Sequence, residues 1–253
     1  MCRRPPPPSV RWPNGYAPGQ FYAESKPVHA ELKRKEIFRL AAFVRDADIK
    51  TLEGKPLPKK KEELEELLEA IFDKKKFKLD YQRERVGYRR IGRSTDERTI
   101  IATLLEADTI LSDTVTYLMP FRYELTDKGK LSQEQVPTED VRSLLTLLNS
   151  LLLNYYIRSR VSATVSMFFI YELPIPKLTA AQKKKLAEFA GKLLADPRAV
   201  AERAALEVFI ARELYGLSRD DWKHLTGTFT FGGGDSKAEL DEIIRQSLAL
   251  WAK

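Results

Sequence analysis

Two short stretches of this chain concentrate side chains that hold phosphate. Gly87–Leu105 (GYRRIGRSTDERTIIATLL) sets Arg89, Arg90 and Arg93 beside Ser94 and Thr95, follows them with Asp96 and Glu97, and then turns apolar. Leu144–Leu178 leads Arg158 and Arg160 into a run where Ser162, Thr164 and Ser166 alternate with apolar residues. A guanidinium clamps a phosphate, or reads O6 and N7 of guanine, through two hydrogen bonds. The candidate set for binding a polyanion is Arg89, Arg90, Arg93, Thr95, Arg158, Arg160, Ser162 and Thr164. Lys74, Lys75, Lys76 and Lys78 join it as suppliers of nonspecific phosphate attraction. The hydroxyl row either meets backbone phosphates or faces water. Strand alternation would place Arg89, Ile91 and Arg93 on one side and Arg90 on the other.

Catalytic constellations are missing from the sequence. His29 and His224 are its two histidines, far apart and without metal-spaced partners, which argues against a zinc site or a histidine-based triad. His224 follows Trp222 closely and reads as a surface or packing residue. Gly232 to Gly234 precede a helix pattern and would serve as a phosphate cradle only with the lysine and spacing of a P-loop, which are lacking, so a flexible turn is favoured. Asp220 and Asp221 lie at a helix start, where the helix dipole explains them. No catalytic residue, metal or cofactor is expected.

Composition is that of an ordinary globular protein, with 43% hydrophobic and 31% charged residues among 253. The net charge of +7 is unevenly placed. Lys74 to Arg93 holds nine basic and two acidic side chains, equal to the whole excess. Such an island suits a polyanionic partner, since each phosphate contact releases condensed counterions, although a solvated charge run gives the same composition. The single cysteine, Cys2, excludes a disulfide framework and fits a reducing, cytoplasmic setting. The N-terminus lacks the apolar core of a signal peptide. Leu144 to Ile157 is broken by Thr146, Asn149, Ser150 and Asn154, and is too short for a membrane span.

Several elements must position these residues. Residues 1–20 form a Pro/Gly-rich tail expected to be extended or disordered. Helices are expected over Val28–Arg45 and Lys61–Phe72, with Lys74 to Lys76 just past the second, and a loop over Thr51–Lys61. Val86 to Met119 reads mainly as strands, and Lys128 to Pro137 as a polar connection. Thr138 is expected to cap one long buried helix over Val141–Arg158. The period of two over Val161–Met167 predicts a strand continuing through Phe168–Leu173 until Pro174 and Pro176. The last third reads as helical: Thr179 opens one helix, Pro197 starts the next and Gly216 stops it. Ser218 with Asp221 and, better, Ser236 with Glu239 read as capping boxes.

The two opening stretches also carry a family likeness. Tyr88, Arg89, Ile91, Arg93, Thr95, Glu97, Arg98, Thr99, Ile101 and Ala102 match one block. Leu147, Leu148, Asn149, Ser150, Arg160, Val161, Ser162, Phe168, Phe169, Leu173, Pro174 and Pro176 match a second. On these blocks, over Val86–Phe229, the chain resembles the target-recognition domain of adenine-specific DNA methyltransferases of type IIG restriction-modification and phage-defence systems. The resemblance implies a sequence-specific partner, double-stranded DNA, and a separate methyltransferase or restriction subunit to act on it. Asp96, Glu97 and Arg98 either contact DNA or form an internal salt-bridged turn, and scaffold is favoured for Glu97 and Arg98, because a motif shared across different targets supports the fold. Base-reading residues would lie in variable loops such as Tyr123–Pro137. The family's adenine-holding Asn-Pro-Pro-aromatic tetrapeptide is absent, since no Asn-Pro pair occurs here. The expectation is therefore a recognition part without its catalytic half, and no enzyme in itself. It would be a separate specificity subunit, a truncated frame or an excised domain.

The expected fold is α+β: a small twisted mixed sheet packed on a buried central helix, with a C-terminal helical cluster. The expected segments are a tail (1–20), an N-terminal helical and basic segment (21–85), the recognition core (86–178) and the helical part (179–253). The main alternative is a protein-interaction subunit with little DNA affinity. An RNA-binding accessory protein and an independent enzyme follow it.

Overall fold

A computed structural model describes residues 25–111, 113–230 and 232–251. The Pro-rich tail falls outside the described residues. The chain divides into two compact units, residues 1–79 with 125–131, and residues 80–124 with 132–253.

In the first unit, α1 (Ser25–Arg45) precedes a small antiparallel hairpin of β1 (Thr51–Leu52) and β2 (Lys55–Pro56), followed by α2 (Lys61–Lys75). The hairpin replaces the expected loop. Glu53 and Gly54 both take positive φ at its turn, which lets two residues pair on each side despite the nearby prolines. Helix α1 buries Ile37, Leu40, Ala41 and Val44, and α2 buries Leu64, Leu68, Ile71 and Phe72, the helical spacing of two facing apolar stripes. Helix α2 runs past Phe72, so Lys74 and Lys75 lie in its last turn, and Lys76 ends it in the left-handed region at φ 54°.

The second unit is built on an antiparallel sheet of order β4-β3-β5, from β3 (Arg85–Arg89), β4 (Ala102–Leu105) and β5 (Val115–Tyr117). Expected as mixed, it is wholly antiparallel, Tyr88 facing Ala102 on one side and Thr116 on the other. A hairpin of β6 (Phe121–Leu125) and β7 (Leu131–Gln135) follows, its tip belonging to the first unit. The presumed variable loop Tyr123–Pro137 is thus largely this hairpin, with β7 in place of a polar connection.

The central helix is two helices, α3 (Thr138–Leu148) and α4 (Leu151–Arg158). Pro137, not Thr138, occupies the first N-cap. Ser150 breaks the run because its hydroxyl accepts from Leu153 N–H at 3.2 Å and donates to the Leu147 carbonyl at 2.7 Å, which caps a new helix. Val161–Met167 is not a strand. It bends at Ser162 and Ala163 and makes a single bridge, Ile91 to Thr164, and Met167–Tyr171 forms a short helix, α5.

Helices α6 (Ala180–Ala195), α7 (Val200–Val208), a π-helical turn (Phe209–Leu214), α8 (Arg219–Gly227) and α9 (Gly234–Trp251) complete the unit. Thr179 with Gln182, and Ser218 with Asp221, form reciprocal capping boxes. Gly216, at φ 66°, ends the π turn, and Leu217 N–H reaches back to the Ala211 carbonyl at 2.9 Å. The expected box at Ser236 does not form: α9 already begins at Gly234, and the Ser236 hydroxyl donates to Glu97 Oε2. Pro197 precedes α7 by a turn, and Ala199 is the N-cap.

One apolar cluster joins sheet and helices, including Val86, Tyr88, Leu148, Leu153, Val165, Leu186, Ile210, Trp222 and Leu240. At about 25 cal/mol per Å² of apolar area, each such large side chain contributes roughly 1.5–3 kcal/mol. Among the described residues no helix is long and apolar enough to cross a membrane.

Candidate nucleic-acid interface

The free edge of β4 is completed by side chains rather than by another strand. The Asn149 amide donates to the Ala102 carbonyl at 2.9 Å and accepts from Ala102 N–H at 3.0 Å, so it stands in for a strand peptide. Asn154 Oδ1 accepts from Ile100 N–H at 3.0 Å. These long-range bonds fix the α3–α4 break against the start of β4 and satisfy its edge at Ala102. Beneath the break, the buried Glu207 accepts from Leu151 N–H at 2.9 Å, at the start of α4.

The turn at residues 93–98 is held from within. Arg89 pairs with Asp96 at 2.9 Å and also donates to the Arg98 carbonyl. Asp96 in turn accepts from Arg93 N–H at 3.1 Å. Arg158 donates to the carbonyls of Asp96 and Glu97 at 3.0 and 2.7 Å, and its guanidinium lies over the Phe229 ring at 4.3 Å. Burial pulls the Arg158 pKa down, opposed by the charge of Asp96. Arg98 reaches the Asn149 carbonyl, and Glu97 accepts from Ser236. Gly92 permits the close approach: a Cβ there would lie 2.2 Å from the Thr99 carbonyl oxygen. The Asp96–Arg98 segment is thus an internally bonded turn, though its ion pair is Asp96 with Arg89.

Two of the candidate phosphate ligands, Arg89 and Arg158, are thus bonded within the turn. Arg89 and Arg158 are committed to the turn, because its inward-facing carbonyls and Asp96 need donors. The simple alternation fails at the same place, since β3 ends at Arg89 and Gly92 turns the chain. The basic island divides likewise. Lys75 pairs with Glu53 at 2.6 Å and donates to the Leu131 carbonyl, Arg83 bonds Gln133 and Gln135, and Arg85 is buried with its guanidinium on the Thr109 carbonyl at 2.6 Å. The partners of Lys75 and Arg83 lie 22 or more residues away, beyond any local pattern, and Arg85 adds to its distant Thr109 bond two local ones, to the Tyr81 and Arg83 carbonyls at 3.3 Å.

The exposed remainder falls in two places. Lys74, Lys76 and Lys78 are exposed on the first unit. On the second, Arg90, Arg93, Thr95, Arg160, Ser162 and Thr164 are exposed. The backbone gathers this second group: Gly92 N–H donates to the Ala163 carbonyl at 3.2 Å and Val165 N–H to the Arg90 carbonyl at 2.7 Å, antiparallel about the Ile91–Thr164 bridge. Arg160 stacks on the Tyr156 ring at 3.7 Å. Neither 87–95 nor 160–171 contains an acidic residue. The result is a ledge in which the bridge fixes exposed Arg90 and Thr164, with Arg93, Thr95, Arg160 and Ser162 exposed on the chain that flanks it.

The Gly232–Gly234 turn is no anion cradle. Gly232 lies against Glu97, whose carboxylate oxygen would be 3.2 Å from a Cβ there, and a second anion would be repelled. His224 is exposed, and among the described residues no three His, Cys, Asp or Glu side chains converge as metal ligands would. Comparison with family models, curated proteins and solved structures finds no match for this chain. The class defined by the fold and ledge is an α+β unit presenting a preset cationic and hydroxyl surface.

Proposed function

We propose that the second unit binds double-stranded DNA as a sequence-specific target-recognition module and positions a separate methyltransferase or restriction component on its site. The observation that carries this reading is the pairing of residues 90–92 with 163–165, which joins exposed Arg90 and Thr164 and the segments that carry exposed Arg93, Thr95, Arg160 and Ser162. Internal bonding of Arg89, Arg98 and Arg158 supports it, because a rigid turn holds the exposed arginines without spending binding energy on ordering them. The resemblance of the same two stretches to methyltransferase recognition domains points to the same partner. Exposed Lys74, Lys76 and Lys78 give the first unit a nonspecific attraction of its own for phosphate.

Fluorescence anisotropy of a labelled duplex across a salt series tests the proposal. Three phosphate contacts give a log–log slope of about −3, steeper if the lysines engage. A flat response, together with co-purification of a partner protein, would favour the protein-interaction alternative.

A further inference from the structure

We propose that Phe168 and Tyr171 form an aromatic wedge that enters a base step of the bound duplex. This rests on the DNA-binding reading and adds a mode of contact to it. Phe168 is 62% exposed and Tyr171 77%, the two largest exposures among the large hydrophobic side chains described. Three residues apart on α5, they share one face of that helix.

The helix beneath them is anchored. Ile170 is buried, the Tyr88 hydroxyl meets Met167 Sδ at 3.3 Å, and Phe169 packs edge-on to Phe168 at 5.6 Å. Exposed rings on a fixed support are a surface waiting for a contact rather than a frayed end.

Their surroundings name the contact. Val165 N–H bonds the Arg90 carbonyl at 2.7 Å and α5 begins at Met167, so the helix that carries the rings follows directly on the segment held against Arg90. Ile91, 57% exposed, continues the apolar surface from the same bridge that seats Thr164. A partner must therefore satisfy guanidiniums and hydroxyls and, immediately beside them, offer apolar faces to a ring with no polar atom. Duplex DNA does both, with phosphates outside and base faces exposed when a step is opened. Glu172, just beyond the helix, is exposed; it favours insertion between bases over a phosphate contact at that end.

Insertion unwinds DNA, and plasmid relaxation reads this without knowledge of the target sequence. Closed circular plasmid is relaxed by topoisomerase with the full chain present, then deproteinised and resolved by gel. The wild-type chain should leave a linking-number deficit that grows with protein. Phe168→Ala with Tyr171→Ala should abolish it and lower duplex affinity about tenfold, with the salt slope unchanged. Phe168→Trp with Tyr171→Phe should keep both. A wild-type chain that binds with a steep salt slope yet shifts no topoisomers overturns the wedge and leaves the DNA reading intact. So does a doubly alanine-substituted chain that still shifts them. Absence of any duplex binding overturns both.

Discussion

Replacing Glu207 with glutamine should remove a pH dependence from the stability of the second unit. The carboxylate is 1% exposed, its Oε2 accepts from Leu151 N–H, and Oε1 has no hydrogen-bond partner. Burial pushes its pKa from the ordinary 4.5 up to about 7, with the charge of Arg98 and the Leu151 N–H opposing. Because the folded value is raised, the native state holds a proton that the unfolded chain has released. The associated stability is fully present below about pH 4.5 and is lost as pH rises through about 7. A shift of this size corresponds to about 3 kcal/mol at 1.36 kcal/mol per unit. Glutamine keeps the acceptor for Leu151 and has no charge to bury. Urea unfolding followed by fluorescence, with Trp222 buried in this unit as reporter, measures both proteins between about pH 5 and pH 8. Their stabilities should agree near pH 5, and the variant should be the more stable by about 2–3 kcal/mol near pH 8. Parallel pH profiles, or a variant less stable near pH 8, would show that Glu207 stays ionised against Arg98 and would refute the reasoning.

Asn149→Ala strands the N–H and carbonyl of Ala102 at the sheet edge, and should cost about 2–4 kcal/mol in the same unfolding assay. Gly92→Ala should cost several kcal/mol or prevent folding, since its Cβ meets backbone at 2.2 Å; unchanged stability would disprove the close approach. Arg158→Ala should lower stability by about 1–3 kcal/mol, whereas Arg93→Ala should leave stability within about 0.5 kcal/mol and weaken duplex binding. Melting curves and anisotropy on both variants separate a structural arginine from a surface one.

Local signals in the sequence reached the elements whose determinants are themselves local. Thr179 with Gln182, Ser218 with Asp221, and Gly216 after the π turn all lie within a few residues of what they stabilise. The α+β class and the C-terminal helices followed from apolar periodicity. The strand predicted over Val161–Met167 failed because the chain bends at Ser162 and Ala163: buried Val161 and Val165 give the alternation of a strand, yet the segment pairs only at Thr164. Asn149, Ser150 and Asn154 read as interruptions of a greasy run, yet they cap a helix and pair with backbone 47 or more residues away. Arg158 likewise meets carbonyls 61 and 62 residues away, whereas Arg89 finds Asp96 and Arg98 within nine residues. Residue type identified a cation; only the fold says what neutralises it.

The most direct measurement is the salt dependence of duplex binding by the wild-type chain beside a variant carrying Arg90→Ala, Arg93→Ala and Arg160→Ala. The proposed interface predicts that the log–log slope becomes shallower by about 3, with the fold unchanged by circular dichroism. Equal slopes for the two proteins, or no duplex binding by the wild type near physiological salt, would contradict it.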